Sequence, residues 1–426
     1  MLNRRQFLGT IAAGAAAGGV LRAAEPAAKP AAARKKLAVV TTVWTYRSHA
    51  WHMAERFLHG FPLRGHWHHS DFQLVSAYVD QQPAGDLSRD RSREFGFPIY
   101  PTIAEALRCG GDKLAVDAVL IIGEHGEYPL NEFGQKQYPR YQFFKQVADV
   151  FRKDGRTAPV FNDKHLSWKF EWAKEMVDTS HELGFAFLAG SSLPVTFRMP
   201  SIDMPLGAEI EETMCVAMGG LDSYDFHALE TMQCMAERRR GGETGVVALQ
   251  ALRGDAVWKA FEAGSWHAGG WDAKLFEACL ARTQTLAQPD TFSDRYPTPA
   301  QMREFVRDPV VYRFEYADGL KATMFLLNGL VGDFTFAARL KGRPEPLSTL
   351  FYLPPNPNVT YSAELMSKAE ETFMTGKAPY PVERTLLTGG LVEAGMQSLA
   401  AGQKRLETPH LAIRYEPPKE SLFAMS

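Results

Sequence analysis

The stretch LAVVTTVWTYRSHAWHM, Leu37 to Met53, decides the fold. Its apolar start, Leu37 to Val40, is a short run of the kind that forms a buried strand, and a helix is expected from about Ser48. Where such a strand-to-helix turn cradles a dinucleotide, glycines let backbone N–H groups approach the pyrophosphate. Here Thr41, Thr42, Val43, Trp44, Thr45, Tyr46 and Arg47 occupy the turn, and none of them is glycine.

The pattern continues outward from that strand as an alternation. Strand-like runs are expected at Phe72–Asp80, Phe97–Pro101, Ala115–Gly123, Ala158–Asp163 and Phe185–Gly190, with helical stretches between them, several ending in glycine. Such alternation specifies an α/β fold, a Rossmann-like, doubly wound parallel sheet over residues 37–195. Beyond it, residues 196–426 read as an α+β domain with an open, mainly antiparallel sheet. Asp308–Leu340 is expected to supply three antiparallel strands, turning at Asp318-Gly319 and near Gly329. Helices are expected at about Asp222–Arg240, Asp272–Leu286, Ser362–Thr375 and Glu383–Gln403.

Of the 426 residues, 45% are apolar and 23% charged, enough to build two cores. A net charge of −2 offers no basic surface for nucleic acid. No run past the N-terminus is long and apolar enough to span a membrane. Cys109, Cys215, Cys234 and Cys279 have neither disulfide-like nor metal-like spacing, and are expected as free thiols. Residues 1–24 combine Arg4-Arg5, an Ala/Gly-rich stretch and small residues before Glu25. That is a twin-arginine export pattern, implying a periplasmic or otherwise exported protein. Residues 25–36 read as a linker.

Several segments together resemble the glucose-fructose oxidoreductase/inositol dehydrogenase/MocA-like family. VSAYVD ends its strand on Asp80, FGFPIYPTIAEAL resembles the third strand and its helix, and VDAVLIIGEHGEYP stands at a turn after the fourth strand. PVFNDKHLSWKF resembles the Glu-Lys-Pro region, with Asp163-Lys164-His165 in its place, and ETPHLAIRY resembles the closing sheet strand. The resemblance implies a homo-oligomeric oxidoreductase acting on a small carbohydrate or polyol with NAD or NADP. It places Asp80 at the adenosine ribose, and Lys164 and His227 at the reacting hydroxyl as acid–base groups. The chain departs from the family at the missing glycines, at His165, and before His227, where Ser223 stands four residues upstream with Asp222 and Asp225 nearby.

Ligands of open α/β sheets bind outside the carboxyl ends of the strands. That rule gathers Thr41, Thr42 and Arg47 from the first strand, with His49 and His52 just inside the helix, and Gly123, Glu124, His125 and Glu127 from the fourth. Asp163, Lys164 and His165 come from the fifth, and Gly190, Ser191 and Ser192 from the sixth. Thr41, Thr42, Arg47, Asp80 and Gly123 are the candidates for a nicotinamide cofactor. A lysine desolvated in a cleft can act as acid or base, so Lys164 leads the catalytic candidates, followed by His227, His125 and Glu124. Asp163, His165, Arg140, Asp225 and Tyr224 are the candidates for substrate hydroxyls or a sugar carboxylate. Two carboxylates around an imidazole also suit a divalent metal, with Glu124 and His125 as ligands. Three functional readings stay open: a nicotinamide-dependent sugar oxidoreductase; a non-redox sugar lyase, hydrolase or epimerase; and a non-catalytic binding protein. The histidine-rich run His59–Phe72 lies on the far side of the sheet from the crevice and is expected as a loop.

Overall fold

A computed structural model describes residues 34–289, 296–354 and 359–425. The export pattern and nearly all of the linker lie outside the described residues. Lys35–Ser426 forms one compact unit containing two large sheets.

The first sheet opens with β1 (Lys35–Thr41). A small hairpin follows, β2 (Phe61–Leu63) paired antiparallel with β3 (His66–His68). The chain then continues into β4 (Phe72–Val79), β5 (Ala118–Ile122), β6 (Val160–Asp163) and β7 (Phe187–Gly190). The order is β4-β1-β5-β6-β7, and every pairing is parallel. Leu37–Val40 and all of β5 are fully buried, as unbroken apolar runs must be when helices cover both faces of a sheet.

The second sheet has eight strands, ordered β15-β10-β11-β12-β9-β13-β14-β8. They are β8 (Phe197–Met199), β9 (Ile210–Ala217), β10 (Val246–Arg253), β11 (Val310–Tyr316), β12 (Lys321–Leu326), β13 (Phe334–Leu340), β14 (Leu347–Tyr352) and β15 (Leu406–Glu407). Helices Tyr224–Ala236 and Glu383–Ala400 pack on each other, and each also packs on a strand of this sheet, β9 and β10 respectively. The buried Arg384–Glu237 ion pair joins the two helices, with Arg384 Nε 2.8 Å from Glu237 Oε2.

Five local expectations change. Phe97–Pro101 forms no strand; Ile99 makes a single bridge to Ala77. The His59–Phe72 run is not a loop, because Arg64-Gly65 turns it into the β2–β3 hairpin. β11 and β12 form the expected hairpin, but β12 then pairs parallel with β9, which separates it from β13. The closing ETPHLAIRY forms no full strand: it gives Glu407 to the two-residue β15, a 3-10 turn at Pro409–Leu411 and a single bridge from Tyr415 to Glu243. Finally, the helix after β1 is a π-helical turn, Ala50–Ala54, followed by one α turn, Arg56–His59. Isolated π turns are rare and recur at functional sites.

Candidate functional site

The first turn is filled from within. Trp44 is fully buried, stacks on Phe97 at 6.1 Å between ring centroids, and donates its indole N–H to Glu55 Oε1 at 3.1 Å. Arg91 holds the same carboxylate oxygen at 2.9 Å. Three backbone donors are spent internally: Thr42 N–H on Ile122 O, Thr45 N–H on Ser48 Oγ, and Ser48 N–H on Thr45 O. The Thr41 hydroxyl donates toward Val43 O and Ile122 O, and that of Thr42 to Glu124 O at 2.6 Å. Arg47 is exposed over the Tyr46 ring. Asp80 accepts from Tyr78 through one oxygen and from Tyr128 through the other. A Cβ at Gly123 would come 2.5 Å from Arg140 Cγ, so this glycine makes room for an arginine, not for a cofactor.

The expected cofactor set of Thr41, Thr42, Arg47, Asp80 and Gly123 therefore forms no pyrophosphate cradle. No glycine opens the turn, its Thr42 and Thr45 N–H groups are already bonded within the protein, and a helix long enough to present a strong dipole does not follow it. The residues present do not fit a dinucleotide in the usual place.

The other turns make a cavity of about 160 Å³ lying between the two sheets. β5 delivers Glu124 and His125, β6 delivers Asp163 and Lys164, and β7 delivers Ser191 and Ser192. His49 and His52 reach it from the π turn, and His227 and Tyr224 from the helix Tyr224–Ala236. All four expected catalytic residues thus meet in one place. His125 and Lys164 both have left-handed backbone, at φ 68° and 61°. Such conformations are costly for residues other than glycine and concentrate at functional sites. Lys164 is held there by its N–H to Gly190 O at 3.2 Å, while Asn162 Nδ2 spans the turn to Asp163 O and His165 O.

Glu124 is the electrostatic centre. Lys164 Nζ lies 3.2 Å from its Oε1, and Arg140 bonds its Oε2. Burial alone would raise this carboxyl, but Lys164 and Arg140 hold it well below the usual range. Asp163, paired at 2.6 Å with His49 Nδ1, is pushed up to about 6 by burial and by the Glu124 charge. Burial lowers the His49 and His227 imidazoles, and Lys164 lowers them further. His52 and His125 are lowered as well, chiefly by burial. The cavity therefore presents neutral imidazoles beside a fixed ammonium, a set suited to proton transfer near neutral pH.

Three expected substrate residues are not at the cavity wall. Arg140 is fully buried beneath Glu124 and bonds His165 Nε2 at 3.1 Å. His165 is buried with it. Asp225 accepts the Ser223 and Phe226 N–H groups and the Tyr312 hydroxyl, so it serves the start of the helix. Only Asp163 and Tyr224 of that group face the cavity. No group of three or more His, Cys, Asp or Glu among the described residues is arranged to hold a metal ion, so Glu124 and His125 lack the further ligands that a metal needs. Tyr361, Phe334 and Leu353 complete the wall from far along the chain, and no sequence signal marked them. The four cysteines are free thiols.

No family model and no curated protein matches the sequence. Solved structures do match the fold. GenD2 from gentamicin A biosynthesis, in complex with NAD, is 12% identical, with 90% of this chain and 99% of that one covered and a TM-score of 0.54. A probable dehydrogenase from Thermotoga maritima is 12% identical, covering 88% and 99%, at 0.50. The apo scyllo-inositol dehydrogenase from Lactobacillus casei is 10% identical, covering 88% and 98%, at 0.50. The chain thus shares the fold of these solved structures, an inositol dehydrogenase among them, as its sequence resemblance implied.

Proposed function

We propose that this protein is an enzyme acting on a small carbohydrate by proton transfer without hydride transfer, as an epimerase or lyase does. One observation carries the reading. The crevice end that would hold a pyrophosphate is packed solid by Trp44, while the other end gathers Lys164, Glu124, His125 and His227 around a cavity fit for one small molecule. Its volume of about 160 Å³ lies below the roughly 300–1,000 Å³ of common ligand pockets. Lys164 supplies a cation for a developing oxyanion, and His227 a proton donor or acceptor. The substrate class that uses such an ammonium is a sugar bearing a carbonyl or carboxylate.

Nicotinamide-dependent sugar oxidation is the second reading. It is favoured by the fold shared with an NAD-bound structure and by an open groove of about 600 Å³ beside Asp80, lined by Arg89 and Arg93. Fluorescence titration with NADH and NADPH separates the two. The first reading expects no sub-micromolar binding of either; such binding, with reduction of NAD by a sugar, establishes the second. Residues 1–24 we read as a twin-arginine export signal, so Arg4→Lys with Arg5→Lys should leave the unprocessed chain in the cytoplasm, as fractionation would reveal.

A further inference from the structure

Two imidazoles enter the cavity in the same half-anchored way. His49 Nδ1 is 2.6 Å from Asp163 Oδ2, and His227 Nδ1 is 2.6 Å from Ser191 Oγ. Neither Nε2 has a hydrogen-bond partner among the described residues, and neither is sealed in the protein as the buried unpartnered His52 Nδ1 is. Both rings line the same cavity, and the His49 charge is felt at His227.

The anchors differ in what they can donate. An ionised carboxylate only accepts, so Asp163 takes the Nδ1–H of neutral His49 and leaves a lone pair on Nε2. Ser191 Oγ already accepts the Leu193 N–H at 3.1 Å, and His227 Nδ1 is the one acceptor its own proton meets among the described residues. With Nδ1 accepting, a neutral His227 carries its proton on Nε2. One ring thus offers a lone pair to the cavity and the other an N–H. Sequence motifs of the resembled fold do not account for His49, which stands where a cofactor-binding turn would lead into its helix.

We propose that His49 and His227 form a proton-transfer couple, His49 Nε2 the base and His227 Nε2–H the acid, acting on a sugar whose C–H adjoins a carbonyl or carboxylate. The proposal rests on the carbohydrate reading above. The proton passes from carbon to His49 Nε2. The C–H electron pair becomes the enolate double bond, and the carbonyl π pair moves to the oxygen beside the Lys164 ammonium. His227 returns a proton to that carbon, and water restores both rings, so no atom is gained or lost. Asp163 and Ser191 are positioning residues that set which nitrogen of each ring carries the proton.

Full-length mature protein labelled with ¹⁵N-histidine tests the tautomers, with His49→Gln and His227→Gln to assign the signals. The Nδ1–H form is expected for His49 and the Nε2–H form for His227. The reverse assignment in either ring overturns the couple. In D₂O, proton NMR follows C–H exchange of D-glucuronate and D-fructose. Asp163→Asn is expected to move the His49 proton to Nε2 and to slow exchange about 10²–10⁴-fold with KM within about threefold, as loss of a positioned acid–base group does. Ser191→Ala should mix the His227 tautomers and slow exchange by about tenfold. Exchange unchanged in His49→Gln overturns the proposal, as does binding of a probe without exchange. Failure of either probe to bind, measured by calorimetry, removes the carbohydrate reading itself.

Discussion

The two ends of the crevice treat buried polarity in opposite ways. At the β1 turn the buried side-chain donors of Thr41, Thr42 and Trp44 are paired off within the protein, and the large side chain at its centre is an indole stacked on Phe97. At the β5, β6 and β7 turns, ionised groups and left-handed residues are kept under cover, with Arg140 Nε, Asn162 Oδ1 and His165 Nδ1 buried and unpartnered. Packing alone gives no reason to hold such groups away from water, because each costs free energy. The first end is therefore built for stability, and the second carries a cost that chemistry explains.

The largest effect that tests this contrast is on turnover. Lys164→Met should lower activity on any substrate the wild type converts by about 10²–10⁴-fold, the usual loss when an acid–base or oxyanion group goes. Glu124 keeps Arg140 as its partner, so thermal unfolding should shift less than it does for Arg140→Leu. That second variant, which strips the most buried member of the ion cluster, should destabilise by about 3–5 kcal/mol in chemical denaturation. Arg47→Ala, at the exposed turn, should stay within about 0.5 kcal/mol.

Trp44→Ala asks whether the first end is purely structural. A loss of about 3–5 kcal/mol in stability is expected. Turnover per folded molecule should persist, and a large fall in kcat in the still-folded variant would place the indole in the chemistry.

Glu230 sharpens the comparison through pH. Burial pushes its carboxyl up to about 7, and its Oε1 takes the Thr388 hydroxyl. The folded state then holds a proton that the unfolded chain releases near its ordinary value. Stability from this group is full at low pH and is lost as pH rises through about 7, by on the order of 3 kcal/mol. Glu230→Gln should flatten that decline in a denaturation series between pH 4.5 and 8. An unchanged slope would assign the decline to other groups.

Asp80→Asn is the smallest change. Both oxygens already accept tyrosine hydroxyls on the surface, so stability should move by less than about 1 kcal/mol. Affinity for NADH should not move at all under the first reading. A clear loss of measurable binding would favour the second.

The alternation of apolar runs and glycine-ended helices carried the parallel sheet, since buried parallel strands must be apolar on both faces. β1, β4, β5, β6 and β7 were legible for that reason, and so were Glu124, His125, Asp163 and Lys164, which follow their strands directly. Short edge pieces were not. Phe97–Pro101 and the closing segment have strand-like composition, but pairing depends on a neighbour that sequence does not reveal. The missing glycines were visible at once, but not what replaced them. That Trp44 would turn inward, and that Arg140 would sink beneath Gly123, follows from space left by residues distant in the chain. The His49–Asp163 and His227–Ser191 pairs span 114 and 36 residues. Sequence alone determined the fold class and the turns that carry the polar groups, because both are local patterns of hydrophobicity and chain reversal. Only the tertiary structure decided which groups face the cavity and which nitrogen of each imidazole is tied, because burial and hydrogen bonding are settled by the packing of one element on another.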